Sequence, residues 1–199
     1  MNMATIGKME FPKRFSQSCQ GITLVESMVV VAILGILAAV ALPSFKSTME
    51  SSRRTAYANQ LLEDMALARS EAIKRGVRVV VCPSSSGTSC AASNSWATGW
   101  IVFTDKNNNA TVDASDTVLR VHEALALPSG WVAINNGSNN YVSYHPLGVA
   151  QSTTGAFQAL TICLLPANTS CVAEQPSGVT QYTDVVVNSV GRVRIDNKG

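Results

Sequence analysis

The stretch Gln20-Gly21-Ile22-Thr23-Leu24-Val25-Glu26-Ser27, continued by MVVVAILGILAAVAL over residues 28–42 and closed by Pro43, decides how this chain folds. Between Ile22 and Leu42 the only charged side chain is Glu26. Those 21 residues, rising about 1.5 Å each, would reach about 30 Å as a helix, the hydrocarbon thickness of a bilayer. Upstream, Lys8, Lys13 and Arg14 outweigh Glu10. That asymmetry predicts an N-terminal end held in the cytoplasm and a chain that crosses once. An ordinary secretory signal fits poorly. Small residues do occur at Ala38, Ala39 and Ala41, but Pro43 and a helical pattern follow at once. A carboxylate near the start of such a segment is also costly, about 2.5–3.5 kcal/mol at a helix centre, and implies a partner.

Beyond Pro43 the pattern turns amphipathic. Ala58, Leu61, Met65, Ala68 and Ala72 recur at steps of three and four, while Arg53, Arg54, Glu63, Asp64, Arg69, Glu71, Lys74 and Arg75 supply polar positions. This predicts one helix from about Ile22 to Arg75, bent near Pro43 and stopped by Gly76. Its outer half should pack on a sheet. A nucleic-acid face on that half is the weaker reading, because Glu50, Glu63, Asp64 and Glu71 alternate with the basic residues.

From Val77 the period changes to that of strands. Runs at 77–81, 99–103, 118–121, 130–134, 141–144, 159–163 and 184–187 are rich in β-branched and aromatic residues and separated by turn residues. The order helix then strands predicts an α+β domain, a long helix packed on antiparallel sheet. Trp96, Trp100 and Trp131 are expected in its core rather than as platforms for bases.

Composition limits the function. Of 199 residues 46% are hydrophobic and 14% charged, against about 25% charged in an average domain, which fits one domain plus an apolar segment. A formal charge of +2 confines any nucleic-acid site to a local patch. Two histidines leave little room for a multi-His metal centre. His122 sits in an expected strand and His145 precedes Pro146 as a turn residue would; neither has a Ser, Cys or Asp partner motif, and no phosphate-binding glycine loop occurs. The sequence therefore reads as no enzyme and calls for no cofactor.

The glycine, the hydrophobic residue after it, the glutamate four positions on, the uncharged run and the proline together resemble the class III signal of type IV pilins and type II secretion pseudopilins. The resemblance implies a prepilin peptidase that cuts between Gly21 and Ile22 and methylates the new N-terminus of Ile22. It implies that Glu26 serves filament assembly by pairing with a neighbouring subunit's amine, and that the other partners are fellow pilins and, before assembly, the inner membrane. The expected divisions are a leader over 1–21, a membrane and filament-packing helix over 22–43, an amphipathic helix over 44–76 and a β-rich domain over 77–199 ending in a basic tail. The domain would lie in the periplasm and later at the cell surface.

Removal of the leader leaves twelve basic and twelve acidic residues and four of the five cysteines. Four cysteines allow three pairings; the two close pairs, each eight positions apart, suggest Cys82 with Cys90 and Cys163 with Cys171. Even cysteines beyond an export segment fit an oxidising compartment. A four-Cys zinc site is disfavoured because neither pair has the short spacing of zinc ligands.

Gly99-Trp100-Ile101-Val102-Phe103-Thr104-Asp105 with the Asn-rich turn after it, and Gly191-Arg192-Val193-Arg194, resemble the GspH/FimT subfamily of minor pilins and minor pseudopilins. Residues 125–158 carry nothing that adds to the resemblance. FimT-like members, favoured here, serve type IV pili, and some bind DNA through a C-terminal Gly-Arg-x-Arg motif in natural transformation. GspH-like members are structural parts of a secretion pseudopilus. On a strand Arg192 and Arg194 would share one face, with Val193 and Ile195 on the other. Residues 105–184 hold two basic and six acidic residues, whereas 185–199 hold Arg192, Arg194 and Lys198 against Asp196. Positive charge therefore gathers at the tail, where Gly191 permits a tight turn and duplex DNA of any sequence is the expected partner.

A second constellation is Asp105, Asn107, Asn109, Asp113 and Asp116, whose spacing approaches that of a calcium loop. Ala110 stands where such a loop turns on glycine, and no flanking helix pair is expected. Asn and Asp are equally the residues of a hairpin connection.

Overall fold

The periodic positions beyond Pro43 form the inner face of a helix in the computed structural model, which describes residues 21–172 and 181–198, leaving aside the side chains of 40–44, 46 and 198. The expected leader, Lys8, Lys13, Arg14 and Cys19 lie outside the described residues apart from Gly21. The chain divides into two compact units, Met1–Ser44 and Phe45–Gly199. Helix α1, Leu24–Arg75 (52 residues), contributes to both. Its first turn is capped by Thr23, whose hydroxyl accepts the Glu26 N–H at 3.2 Å, so it begins two residues later than the apolar run suggested. Gly76 ends it at φ +65°, donating its N–H to the Ala72 carbonyl at 3.0 Å.

In the first unit, apolar side chains from Ile22 to Leu37 are exposed, Ile22 by 76% and Val30 by 50%. Among the described residues no helix is long and apolar enough to cross a membrane. The expected span of 22–43 runs past Ala39 into side chains that lie outside the described ones.

In the second unit, strands β1 (Arg78–Pro83), β2 (Trp100–Asp105), β3 (Val118–His122), β4 (Trp131–Asn135), β5 (Val142–Tyr144), β6 (Leu160–Pro166), β7 (Tyr182–Val187) and β8 (Val193–Lys198) build two antiparallel four-stranded sheets. Their orders are β3-β2-β1-β5 and β4-β6-β7-β8. Ala58, Leu61, Met65, Ala68 and Ala72 are all fully buried, in one cluster with Val79, Val81, Trp100 and Val102 of the first sheet and Ile162, Leu164, Val185 and Val187 of the second. One helical face thus packs on both sheets. Val80, Cys82, Ile101 and Phe103, on the reverse side of the first sheet, are covered by Ala110, Val112 and Tyr141. With both faces covered, β1 and β2 are buried along their whole length, and Val79–Cys82 and Trp100–Phe103 read as continuous apolar runs rather than alternating ones.

Two polar positions of the helix are buried instead of solvent-facing. Asp64, 1% exposed, accepts the Trp100 indole N–H at 2.7 Å and pairs with Arg120 at 2.7 Å. Arg54, also 1% exposed, lies 4.2 Å from the centroid of the Trp131 ring. Trp96 and Trp100 are core residues as expected; Trp131, expected in the core too, is half-buried at its margin with Arg54 against its ring.

The structure joins Cys82 to Cys90 and Cys163 to Cys171. Each bridge closes a loop of eight residues' separation and restricts the unfolded chain by about 2–3 kcal/mol. Peptide mapping without reductant should recover these two pairs, and replacing Cys82 and Cys90 by alanine should lower unfolding stability by about that amount in denaturant titration. Recovery of Cys82 linked to Cys163 would contradict the pairing.

Candidate functional site

The hairpin between β7 and β8 presents the C-terminal arginines. Asn188 and Gly191 close its turn, the Gly191 N–H donating to the Asn188 carbonyl at 2.9 Å and the Asn188 N–H to the Arg192 carbonyl at 3.0 Å. The Asn188 side chain accepts the Arg192 N–H at 2.8 Å. Gly191 is required twice over: its φ is +78°, and a Cβ there would stand 2.2 Å from the Gly148 carbonyl oxygen. The same carbonyl accepts the Arg69 Nε–H at 2.8 Å, and a second Arg69 nitrogen reaches the Val190 carbonyl at 3.4 Å. Arg69, a polar position of α1 in the sequence, is thus a clamp on the turn that carries Arg192.

Register pairs Val187 with Val193, Val186 with Arg194 and Val185 with Ile195. Val193 and Ile195 pack against the core, whereas Arg192 and Arg194 are exposed, in keeping with the period of two. Their surroundings differ. The Arg192 guanidinium has no hydrogen bond or ion pair among the described residues, while Arg194 pairs with Asp196 at 3.0 Å. Both partners of that pair are exposed, so water and salt leave it within about 1 kcal/mol and a phosphate can compete for the guanidinium. Lys198 ends β8.

At the other end of the chain, Gly21 and Ile22 precede α1 and are exposed, and so is Glu26. In the first turn Glu26 also faces the positive end of the helix dipole. Thr23 and Glu26 have the spacing of a capping box, a signal the reading of the apolar run passed over.

The loop after β2 carries a hydrogen-bond network of its own. Both carboxylate oxygens of the fully buried Asp105 accept backbone N–H groups, from Asn109 at 3.0 Å and Ala110 at 3.0 Å. Asp116 accepts from Lys106 at 2.9 Å and from Asp113 at 3.2 Å. Asp113 accepts from Ser115, Asn107 and Asn109, which hold its carboxyl below the usual range, Ser115 most strongly. These bonds fold the loop over the reverse face of the first sheet. Among the described residues no three His, Cys, Asp or Glu side chains are grouped to hold a metal ion. Ala110 takes φ +54°, the left-handed turn for which a calcium loop uses glycine. Arg78 anchors the loop, its Nε donating to Asn108 at 2.9 Å and another nitrogen to the Ser143 hydroxyl at 2.7 Å; burial pushes its pKa down and Asp105 pushes it back up.

His122 stacks on Trp100 with ring centroids 3.9 Å apart, and His145 closes a turn by accepting the Gly148 N–H at 2.8 Å. Residues 125–158, which added nothing to the family resemblance, supply β4 and β5, where strands were expected at 130–134 and 141–144, and the Gly148 carbonyl beneath the tail.

Residues 57–191 match the family described as type II transport protein GspH, and residues 16–42 match the prokaryotic N-terminal methylation motif. Among solved structures, the chain is similar to the type IV minor pilin FimU of Pseudomonas aeruginosa, at 14% identity and a TM-score of 0.51, over 75% of this chain and 92% of that one. The minor pseudopilin EpsH of Vibrio cholerae is matched at 10% identity and a TM-score of 0.46, over 73% and 97%. No curated protein matches the chain. The fold is the α+β pilin fold that the FimU structure displays.

Proposed function

Because the chain belongs to the GspH family of pilin-like proteins, we propose that it is a FimT-like minor pilin that assists type IV pilus biogenesis and captures duplex DNA at its C-terminal arginines. A prepilin peptidase removes the leader, residues 1–21, and methylates Ile22. Residues 22–43 anchor the chain in the inner membrane with the domain in the periplasm, and then pack among other pilins with Glu26 against a neighbour's N-terminal amine. Residues 44–76 and 77–199 form the helix and the β-rich body at the fibre or cell surface. The protein is structural and needs no cofactor.

Assembly is supported by the exposed apolar side chains from Ile22 to Leu37, a surface that needs lipid or other helices around it. DNA capture rests on one observation: an exposed, unpaired Arg192 beside Arg194, on a turn clamped by Arg69 and Gly191. Two forked guanidinium groups suit adjacent phosphates, with no sequence preference. The Arg194–Asp196 pair favours a second reading, a structural minor pseudopilin of a type II secretion system without a DNA role.

Mass spectrometry of protein made beside an active prepilin peptidase should find methylated Ile22 as the first residue; an intact Met1 start would reject the processing. A fragment beginning at Phe45 should retard unrelated duplexes equally in gels at about 50 mM salt. Absence of any retardation there would leave the pseudopilin reading.

A further inference from the structure

Arg54 is 1% exposed, and its Nε has no hydrogen-bond partner among the described residues. Its guanidinium stacks on Trp131, but stacking occupies the face of the group and leaves the in-plane N–H donors unspent. Glu50, one turn earlier on α1, is the carboxylate that favours the charged form, yet no ion pair forms between them. A buried cation without a contact ion pair is costly. Arg54 lines an open pocket of about 270 Å³ together with Ser47, Thr48, Ser51, Ser52 and Gln181. Ser47, Ser51 and Arg54 follow one another at helical steps of four and three, so they share a face of α1. Ser51 makes no hydrogen bond among the described residues, and Gln181 adds an amide from a separate segment.

We propose that this pocket binds a phosphate group. Hydroxyl, amide and guanidinium donors arriving from two segments suit a tetrahedral oxyanion better than a planar carboxylate, and among the described residues no carboxylate side chain lines the pocket to oppose it. Free phosphate and a phospholipid headgroup share this chemistry. The site is separate from the tail arginines and does not depend on DNA binding.

The test uses the full chain in maltoside micelles, with inorganic phosphate added at constant ionic strength against chloride. Phosphate should raise Tm by about 3–6 °C at ten times Kd and logarithmically with concentration beyond it, whereas Arg54→Met should show no phosphate response and an equal or higher Tm in chloride. Arg54→Lys keeps the charge but loses the fork, and should broaden the ³¹P resonance of phosphate about tenfold less than the native chain does; this comparison stands even if Arg54→Met does not fold. Mixed micelles carrying phosphatidylglycerol, compared with diacylglycerol at equal content, assign the source. Stabilisation by the phospholipid below the free phosphate concentration required identifies a headgroup site, and stabilisation by inorganic phosphate alone a free one. No stabilisation in either arm, an equal response to acetate, or an unchanged phosphate response in Arg54→Lys and Arg54→Met would overturn the proposal.

Discussion

Replacing Arg192 and Arg194 together by alanine is expected to weaken duplex binding by about a hundredfold at 50 mM salt, the loss that follows from two phosphate contacts. The native fragment should show a shallow salt dependence, a slope of about −2 to −3 in log affinity against log salt, and the double variant a slope closer to zero by about two. Stability should change by no more than about 0.5 kcal/mol, since both side chains are exposed. Lysine at both positions separates charge from geometry: partial loss would indicate bidentate contacts that an ammonium cannot make. Because Arg194 already has Asp196 for a partner, Arg192→Ala alone should remove more affinity than Arg194→Ala. Unchanged gel retardation in the double alanine variant would reject the tail as the site.

Gly191→Ala is expected to destabilise the domain by about 3 kcal/mol or more, lowering Tm by about 6–12 °C. Two costs add. The left-handed backbone alone accounts for about 1–2 kcal/mol, and the new methyl would stand 2.2 Å from the Gly148 carbonyl oxygen, a backbone atom that cannot step aside cheaply. Gly76→Ala separates these terms, because Gly76 also has positive φ but nothing within 4 Å of a Cβ; it should cost about 1–2 kcal/mol. Equal effects at the two positions in thermal unfolding would show that the turn is not wedged against Gly148. The same Gly191 variant should lose duplex affinity, because the turn it distorts carries Arg192.

The helix face shows how much of this was legible. Ala58, Leu61, Met65, Ala68 and Ala72 could be read from their spacing because burial of one helical stripe repeats with the helix period. Arg54 and Asp64 could not, since nothing local distinguishes a polar residue facing water from one buried against Trp131 or bonded to Trp100. Strands β1 to β7 were found from β-rich composition, but β4 leaving the first sheet for the second, with β5 returning, is a long-range arrangement without a local signature. At the tail, the alternation of Arg192, Val193, Arg194 and Ile195 gave the exposed and buried faces. The clamp did not show, because Arg69 and Gly148 meet it from far along the chain. The loop from Asp105 to Asp116 reads two ways in the sequence for a chemical reason: the oxygens that ligate calcium are the same ones that cap turns.

Strand β8 stands at the outer margin of its sheet, bonded among the described residues only to β7, and its other edge has no strand beside it there. Such a margin is where proteins stick to one another, and charged residues at alternate positions deter it. Arg194 and Asp196 hold such positions. In a fibre that crowds many subunits side by side, such charges would keep neighbouring sheets from fusing edge to edge. Alanine at Arg194 therefore strips a guard as well as a contact, which makes the lysine variant, with its charge intact, the fairer measure of recognition.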